Sequence, residues 1–311
     1  MKFDIVINTD DKYLQHAMAM LCSLYENNKK HNIIVHILQK SLSDKSKQYL
    51  TELSEKYNNS IIYYDVDESR LQGVQFRKNR PLSMAAYYRL LLSSVLPNDL
   101  EKVLYLDCDI IVVRDLEEIF HIEIENYALA ASLDTLPYCH QHRLQLHMEA
   151  DERTFCSGIM LVNLKYWRDK NVEPELLEYA KRHRNVVYLH DQDVLNYKFK
   201  KQWFLLPPKW NRIANEIKPK SYINYKDFDI QEYIFNPMLY HFASVHVKPW
   251  LVAPVPCKSK YIKYLKKSGY EEVSFIPVGT KRWLRLLCST IKYNIKLKLT
   301  ILLFRVKKND F

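Results

Sequence analysis

Glycine is the scarcest structural residue in this chain of 311, with four in all, where average usage of roughly 7% would give about 22. Gly73, Gly158, Gly269 and Gly279 stand too far apart to form a dinucleotide fingerprint or a P-loop. A nucleotide bound here would need its phosphates neutralised by something other than a backbone cradle. Paired cysteine motifs are also absent. The six cysteines (22, 108, 139, 156, 257 and 288) form no C-x-x-C pair, which argues against a zinc ribbon or a disulfide scaffold and favours reduced thiols in a cytosol. No window offers the ~18 uninterrupted apolar residues of a membrane span. The N-terminal MKFDIVINTDDK places charge inside its short apolar run, unlike a secretory signal. Acidic residues are missing from the C-terminal end: residues 281–311 hold nine Lys or Arg against one Asp, whereas residues 1–280 hold 37 basic and 35 acidic side chains. The tail therefore supplies +8 of the net charge of +10, and a near-neutral body gives no support for nucleic-acid binding.

What is present is an ordinary globular composition, 48% hydrophobic and 26% charged. Short apolar runs alternate with helical spacing through the first half. FDIVIN (3–8), IIVHIL (33–38), IIYYDV (61–66) and KVLYLD (102–107) read as strands, and IIVV (110–113) as an extended continuation. Helices are expected from Leu14 to Tyr25, over 43–57, and over 81–95 with Pro81 in the first turn. Strands alternating with helices predict a parallel α/β sheet. Later, ALAASL (128–133), IMLVNL (159–164) and MLYHFA (238–243) read as strands and 173–184 as a helix.

Three clusters carry chemistry. VLYLDCD (103–109) runs a buried strand into Asp107 and Asp109, where α/β sheets bind ligands. Two buried carboxylates repel, and a divalent cation such as Mn²⁺ or Mg²⁺ removes that cost and bridges to phosphate. A polar turn, or a haloacid dehalogenase-type phosphatase with Asp107 as nucleophile, also fits this motif. HDQDVLNY (190–197) places Asp191 and Asp193 around Gln192, either as ligands or as a helix N-terminus. HFASVHVKPW (241–250) offers His241, Ser244, His246 and Lys248, as a metal and phosphate loop or as an ordinary surface loop.

Taken in order, these pieces over about residues 1–250 resemble glycosyltransferase family 8, which includes bacterial lipopolysaccharide galactosyl- and glucosyltransferases and glycogenin. The resemblance implies a GT-A fold: a Rossmann-like, mainly parallel sheet flanked by helices, merged with a smaller acceptor-side region. It also implies retaining, Mn²⁺-dependent transfer of a hexose from a UDP-sugar to a saccharide hydroxyl. DIVINTDDKY (4–13) matches the uridine-binding strand end, giving Asn8 and Asp10, with Lys12 where a bacterial member has Asn. SMAAYYRLLL (83–92) supplies Arg89 toward the donor. Asp107, Asp109 and His241 would hold the metal, with Asp109 also near ribose. FCSGIMLVNL (155–164) keeps Ser157 and Gly158 but has Cys156 in place of the usual Asn. Asp191 would bind a donor hydroxyl, and Gln192 would lie beside the anomeric carbon. HFASVHVKPW matches H-x-x-G-x-x-K-P-W with Ser244 for Gly and one extra residue before Lys248, the diphosphate contact; His246 is an alternative ligand to His241. The departures leave open a degenerate member that binds a sugar nucleotide without turnover. Residues 137–152 would shape the acceptor side.

The expected organisation is a catalytic domain over 1–280 followed by a basic amphipathic segment over 281–311. In that segment Lys and Arg alternate with Leu, Ile, Trp and Phe. It reads as an interfacial anchor on the anionic inner face of the membrane, where lipid-linked acceptors reside, or as a terminal helix packed on the body.

Overall fold

The computed structural model describes residues 1–74, 84–134, 144, 146, 148–149, 152–182, 189–217 and 230–309. Pro81, most of 137–152 and the end of the 173–184 helix lie outside the described residues. Among the described residues, ten strands run β1 Lys2–Asn8, β2 Asn32–Gln39, β3 Ser60–Asp65, β4 Lys102–Leu106, β5 Ile110–Val112, β6 Leu129–Leu133, β7 Phe155–Asn163, β8 Trp203–Leu205, β9 Arg212–Ile213 and β10 Leu239–His241. The helices include α1 Leu14–Asn27, α2 Asp44–Lys56, α3 Asp191–Lys198, α4 Lys258–Ser268 and α5 Thr280–Asn309.

Seven strands form one sheet in the order β3-β2-β1-β4-β7-β6-β8. The pairs β1/β2, β2/β3, β1/β4 and β6/β8 are parallel, and β7 is antiparallel to β4 and β6. Alternate residues of each central strand serve opposite faces. Phe3, Ile5, Ile7, Leu104 and Leu106 enter one core with α1 and α4; Val6, Val103 and Tyr105 enter the other, with Trp167, Leu176 and Val194. Burial on both faces explains the near-continuous apolar runs in the sequence.

The sheet order reverses direction at β1, which has β2 on one side and β4 on the other. The carboxyl ends of β1 and β4 therefore border the crevice where such sheets bind ligands. Cys108 Sγ donates to the Asn8 carbonyl at 3.3 Å and ties the two ends together.

The segment 110–113 is extended over Ile110–Val112, as expected, but outside the main sheet: β5 pairs antiparallel with β10, which pairs parallel with β9, in a separate three-stranded sheet. This small sheet carries His241 at its edge of the crevice. Two expectations need correction. MLYHFA is extended only over Leu239–His241, because the chain turns there into the loop ending at Trp250. The 81–95 helix is, in its described part, a 3₁₀ helix over Met84–Leu91 followed by a short α-helix over Leu92–Val95. The tighter winding leaves the Ala85 carbonyl to accept from Asn8 Nδ2 at 3.0 Å, and the Ala86 carbonyl to accept from Arg89 Nε at 3.1 Å. The tail is one helix, α5, held to the body by buried Leu286 and Tyr293.

Candidate active site

The crevice is lined by residues from both strand ends, from β7, from the start of α3 and from the 243–248 loop. Asn8, Asp10, Arg89, Asp107, Asp109, Ser157, Asp191, Gln192, His241 and Lys248 all border it. Ser244 does not. Its neighbours Ala243 and Val245 face the cleft, while its Oγ accepts from the His246 N–H at 3.3 Å and shapes the loop. His246 is exposed and stands outside the cluster that Asp107, Asp109 and His241 form within 4.8 Å of one another.

That cluster is braced at every corner. Asp107 Oδ1 accepts from Arg89 Nη2 at 2.8 Å and from the Tyr105 hydroxyl at 2.9 Å. Asp109 Oδ2 accepts from Lys248 Nζ at 2.6 Å, and Lys248 also donates to the Phe242 carbonyl at 2.7 Å. His241 Nδ1 lies 3.0 Å from Asn211 Oδ1 and 3.8 Å from Cys156 Sγ. With Nδ1–H donated to Asn211, the ring turns Nε2 toward the carboxylates, 3.2 Å from Asp109 and 3.9 Å from Asp107.

Burial disfavours charge on His241, but the adjacent Asp109 carboxylate more than offsets it and pushes the imidazole up to about 10. Burial also opposes ionisation of Asp109, yet Lys248 and His241 hold its carboxyl far below the usual range. Asp109 Oδ1 approaches His241 without hydrogen-bond alignment and remains a buried acceptor lacking a donor. Two carboxylates, an imidazole Nε2 and an unserved buried oxygen suit a hard or borderline divalent cation, which would take the place of the imidazole proton. The residues present fit Mn²⁺ or Mg²⁺.

The fourth wall is β7. Gly158 donates no side chain, and none would fit: a Cβ there would lie 2.5 Å from His241 Cε1 and 2.7 Å from Asp107 Oδ2. Beside it, Ser157 Oγ donates to Asp191 at 3.1 Å and its N–H to Gln192 Oε1 at 2.9 Å. Gln192 Nε2 donates to Asp134 at 2.9 Å, so both ends of the amide are held. His190, just before α3, has φ 56°; this strained backbone, of order 1–3 kcal/mol for a non-glycine residue, delivers Asp191 and Gln192 to the cleft. Arg89 is buried and joins Asp107, Asp191 (3.1 Å) and Ser157. It organises the carboxylates more than it reaches outward. Burial pushes Asp191 up to about 6, against the pull of Arg89 and with the repulsion of Asp107.

The sequence reading missed Asn211, Asp134 and Tyr105. Tyr105 had a usable signal, since it lies two residues before Asp107 at the end of one strand and so shares its side. Asp134 directly follows β6, the same strand-end signal that marks Asp107, whereas Asn211 belongs to no periodic segment.

A family model described as glycosyl transferase family 8 matches residues 4–253. General stress protein A of Bacillus subtilis (strain 168) is 26% identical over 278 residues, covering 86% of this chain and 95% of its own length. The lipopolysaccharide 1,2-glucosyltransferase of Escherichia coli (strain K12) is 26% identical over 278 residues, covering 87% of this chain and 80% of its own. A crystal structure of the galactosyltransferase LgtC with donor and acceptor sugar analogues superposes with a TM-score of 0.74 at 22% identity, covering 90% of this chain and 98% of that one. This last likeness is one of fold, the GT-A arrangement.

Proposed function

The chain belongs to glycosyltransferase family 8, and on that premise we propose that it transfers galactose or glucose from a UDP-sugar to a hydroxyl of a saccharide acceptor, with retention, in cell-surface polysaccharide or lipopolysaccharide synthesis. Family membership sets aside the phosphatase alternative. The observation that carries the reading is the braced cluster of Asp107, Asp109 and His241 with Lys248 beside it, at the carboxyl ends of β1 and β4. When bound by these three residues, Mn²⁺ or Mg²⁺ supplies Lewis-acid stabilisation of negative charge on the departing diphosphate.

The chain's own groups do the rest. Asn8 Oδ1, buried and without a donor, and Asp10 flank the uridine end. Lys248 adds a point charge for the phosphates. Asp191, fixed by Arg89 and Ser157, accepts from a donor-sugar hydroxyl. Gln192, held through both amide ends, is a neutral and poor nucleophile, which favours attack of the acceptor on the face the diphosphate leaves, with the leaving phosphate taking the proton. Trapping a glycosyl adduct on Gln192 or Asp191 would overturn that route.

The test is UDP release from UDP-galactose and UDP-glucose with Mn²⁺. Activity with at least one donor is expected, abolished by chelation and restored by added metal. No chelator-sensitive turnover with any hexose donor would favour the non-catalytic, sugar-nucleotide-binding alternative.

We further propose residues 1–280 as the catalytic domain and 281–311 as a membrane-surface anchor. Among the described residues, no helix is long and apolar enough to cross a membrane. Exposed Leu284, Ile291, Ile295, Leu299, Leu302 and Leu303 punctuate α5, between basic residues and with no acidic residue along its length. Such like-charged helices repel one another, whereas each cation near an anionic surface gains about 1 kcal/mol. Replacing Ile295 and Leu299 by Ser leaves the packed Leu286 and Tyr293 in place. It is expected to lower co-flotation with phosphatidylglycerol vesicles about tenfold or more; undiminished flotation would sink the anchor.

A further inference from the structure

A second concavity opens on the far side of the 243–248 loop, between that loop and the first turns of α5. It is lined by His246, Lys281, Arg282, Arg285 and Leu286, and no carboxylate lines it. We propose that it is an anion subsite that takes a phosphate group carried by the acceptor. The inference rests on the transferase reading above and narrows its acceptor to a phosphate-bearing saccharide or saccharide lipid.

The charge arrangement carries the argument. Several exposed lysines elsewhere are neutralised by a carboxylate, as Lys45 is by Glu272, Lys267 by Glu26 and Lys30 by Glu117. Among the described residues, Lys281, Arg282 and Arg285 have none. The contact found is from Arg282 Nη2 to the His246 carbonyl at 3.4 Å, which ties the helix to the loop without neutralising anything. The first turn of α5 contains no acidic residue. Three cations around one hollow repel each other, and a phosphate, which guanidinium groups meet in a two-pronged fashion, relieves that repulsion.

Position supplies the link to the reaction. Val245 lines the donor cleft and its neighbour His246 lines this hollow. One loop thus separates the two, and the same loop ends in Lys248, the side chain paired with Asp109. An acceptor that presents its hydroxyl to the donor cleft past Val245 has this hollow as the next cationic surface.

The probe is inorganic pyrophosphate, titrated into the full chain with UDP and Mn²⁺ saturating the donor cleft. Binding is expected for the unaltered chain. It should weaken about tenfold or more in the Lys281→Gln/Arg285→Gln double variant, whose replaced side chains are both exposed. UDP affinity and UDP-hexose hydrolysis should stay within about twofold. Absence of binding, or equal binding by the variant, overturns the subsite. Vesicles separate the two sources of phosphate. Pyrophosphate at constant ionic strength should leave the chain on phosphatidylglycerol vesicles; its release would assign the hollow to membrane headgroups and overturn the acceptor assignment. A chain that binds pyrophosphate yet hydrolyses no UDP-hexose keeps the subsite and loses the transferase reading.

Discussion

Asp109→Asn is expected to lower metal-dependent sugar transfer by about a thousandfold or more, equivalent to ~4 kcal/mol of transition-state stabilisation. The substitution is isosteric, so packing of the loop after β4 is retained. What disappears is charge. The carboxylate sits 2.6 Å from Lys248 and 3.2 Å from His241. Without it, His241 loses the largest influence that opposes burial, and the proposed cation site keeps one carboxylate, Asp107, which Arg89 and Tyr105 already occupy through Oδ1. The Mn²⁺ concentration needed for half-maximal rate should rise together with the fall in turnover. Stability has its own signature. The folded Asp109 carboxyl is held below its unfolded value, so its contribution is present above about pH 4 and is lost as pH falls further. A thermal-stability profile of the variant should therefore be flatter on the acid side than that of the parent. Circular dichroism like the parent's, together with turnover within tenfold of the parent's, would refute the assignment of Asp109.

The parts of this site legible in the sequence are those carried by regular strands. FDIVIN and KVLYLD announce themselves because a strand buried on both faces must be apolar throughout, and the first polar residues after each run, Thr9 with Asp10 and Asp107 with Asp109, then fall at the carboxyl edge. Sheet order is not local information. Nothing in IMLVNL states that β7 would lie antiparallel between β4 and β6, and nothing in IIVV states that three residues would leave the main sheet to pair with β10. The bracing residue Asn211 was illegible for a related reason. Asn211 falls between a single 3₁₀ turn, Pro208–Trp210, and the two-residue β9, so no period places it. It nonetheless orients His241, and removal of such a partner commonly costs 10–100-fold in metal affinity. The resemblance expects an amide at Cys156. The structure puts that thiol 3.8 Å from the same imidazole nitrogen that the Asn211 amide holds at 3.0 Å.

Gly158→Ala is expected to lower metal-dependent turnover about a hundredfold or more and to lower the melting temperature by a few degrees. Gly279→Ala, where an added Cβ meets nothing within 4 Å, should change neither. The contrast isolates space as the cause. Gly158 lies within β7 and does not have the positive φ found at Gly73 and Gly269, so alanine is conformationally acceptable there. The new methyl would instead stand 2.5 Å from His241 Cε1, 3.0 Å from Nε2 and 2.7 Å from Asp107 Oδ2. Neither side chain yields freely: His241 is pinned by Asn211, and Asp107 by Arg89 and Tyr105. The backbone is fixed too, since the Asp107 N–H donates to the Gly158 carbonyl at 2.9 Å. Overpacking of this kind costs about 1–3 kcal/mol in stability, and a displacement of about 1 Å at reacting groups costs about a hundredfold in rate. UDP release and thermal melts of both variants measure the two effects. Parental activity in Gly158→Ala would mean that His241 and Asp107 can move apart without loss, and the cluster would then not be the metal site. In a chain so poor in glycine, the one placed in the cleft wall keeps a methyl group's volume clear where the side chains of His241 and Asp107 converge.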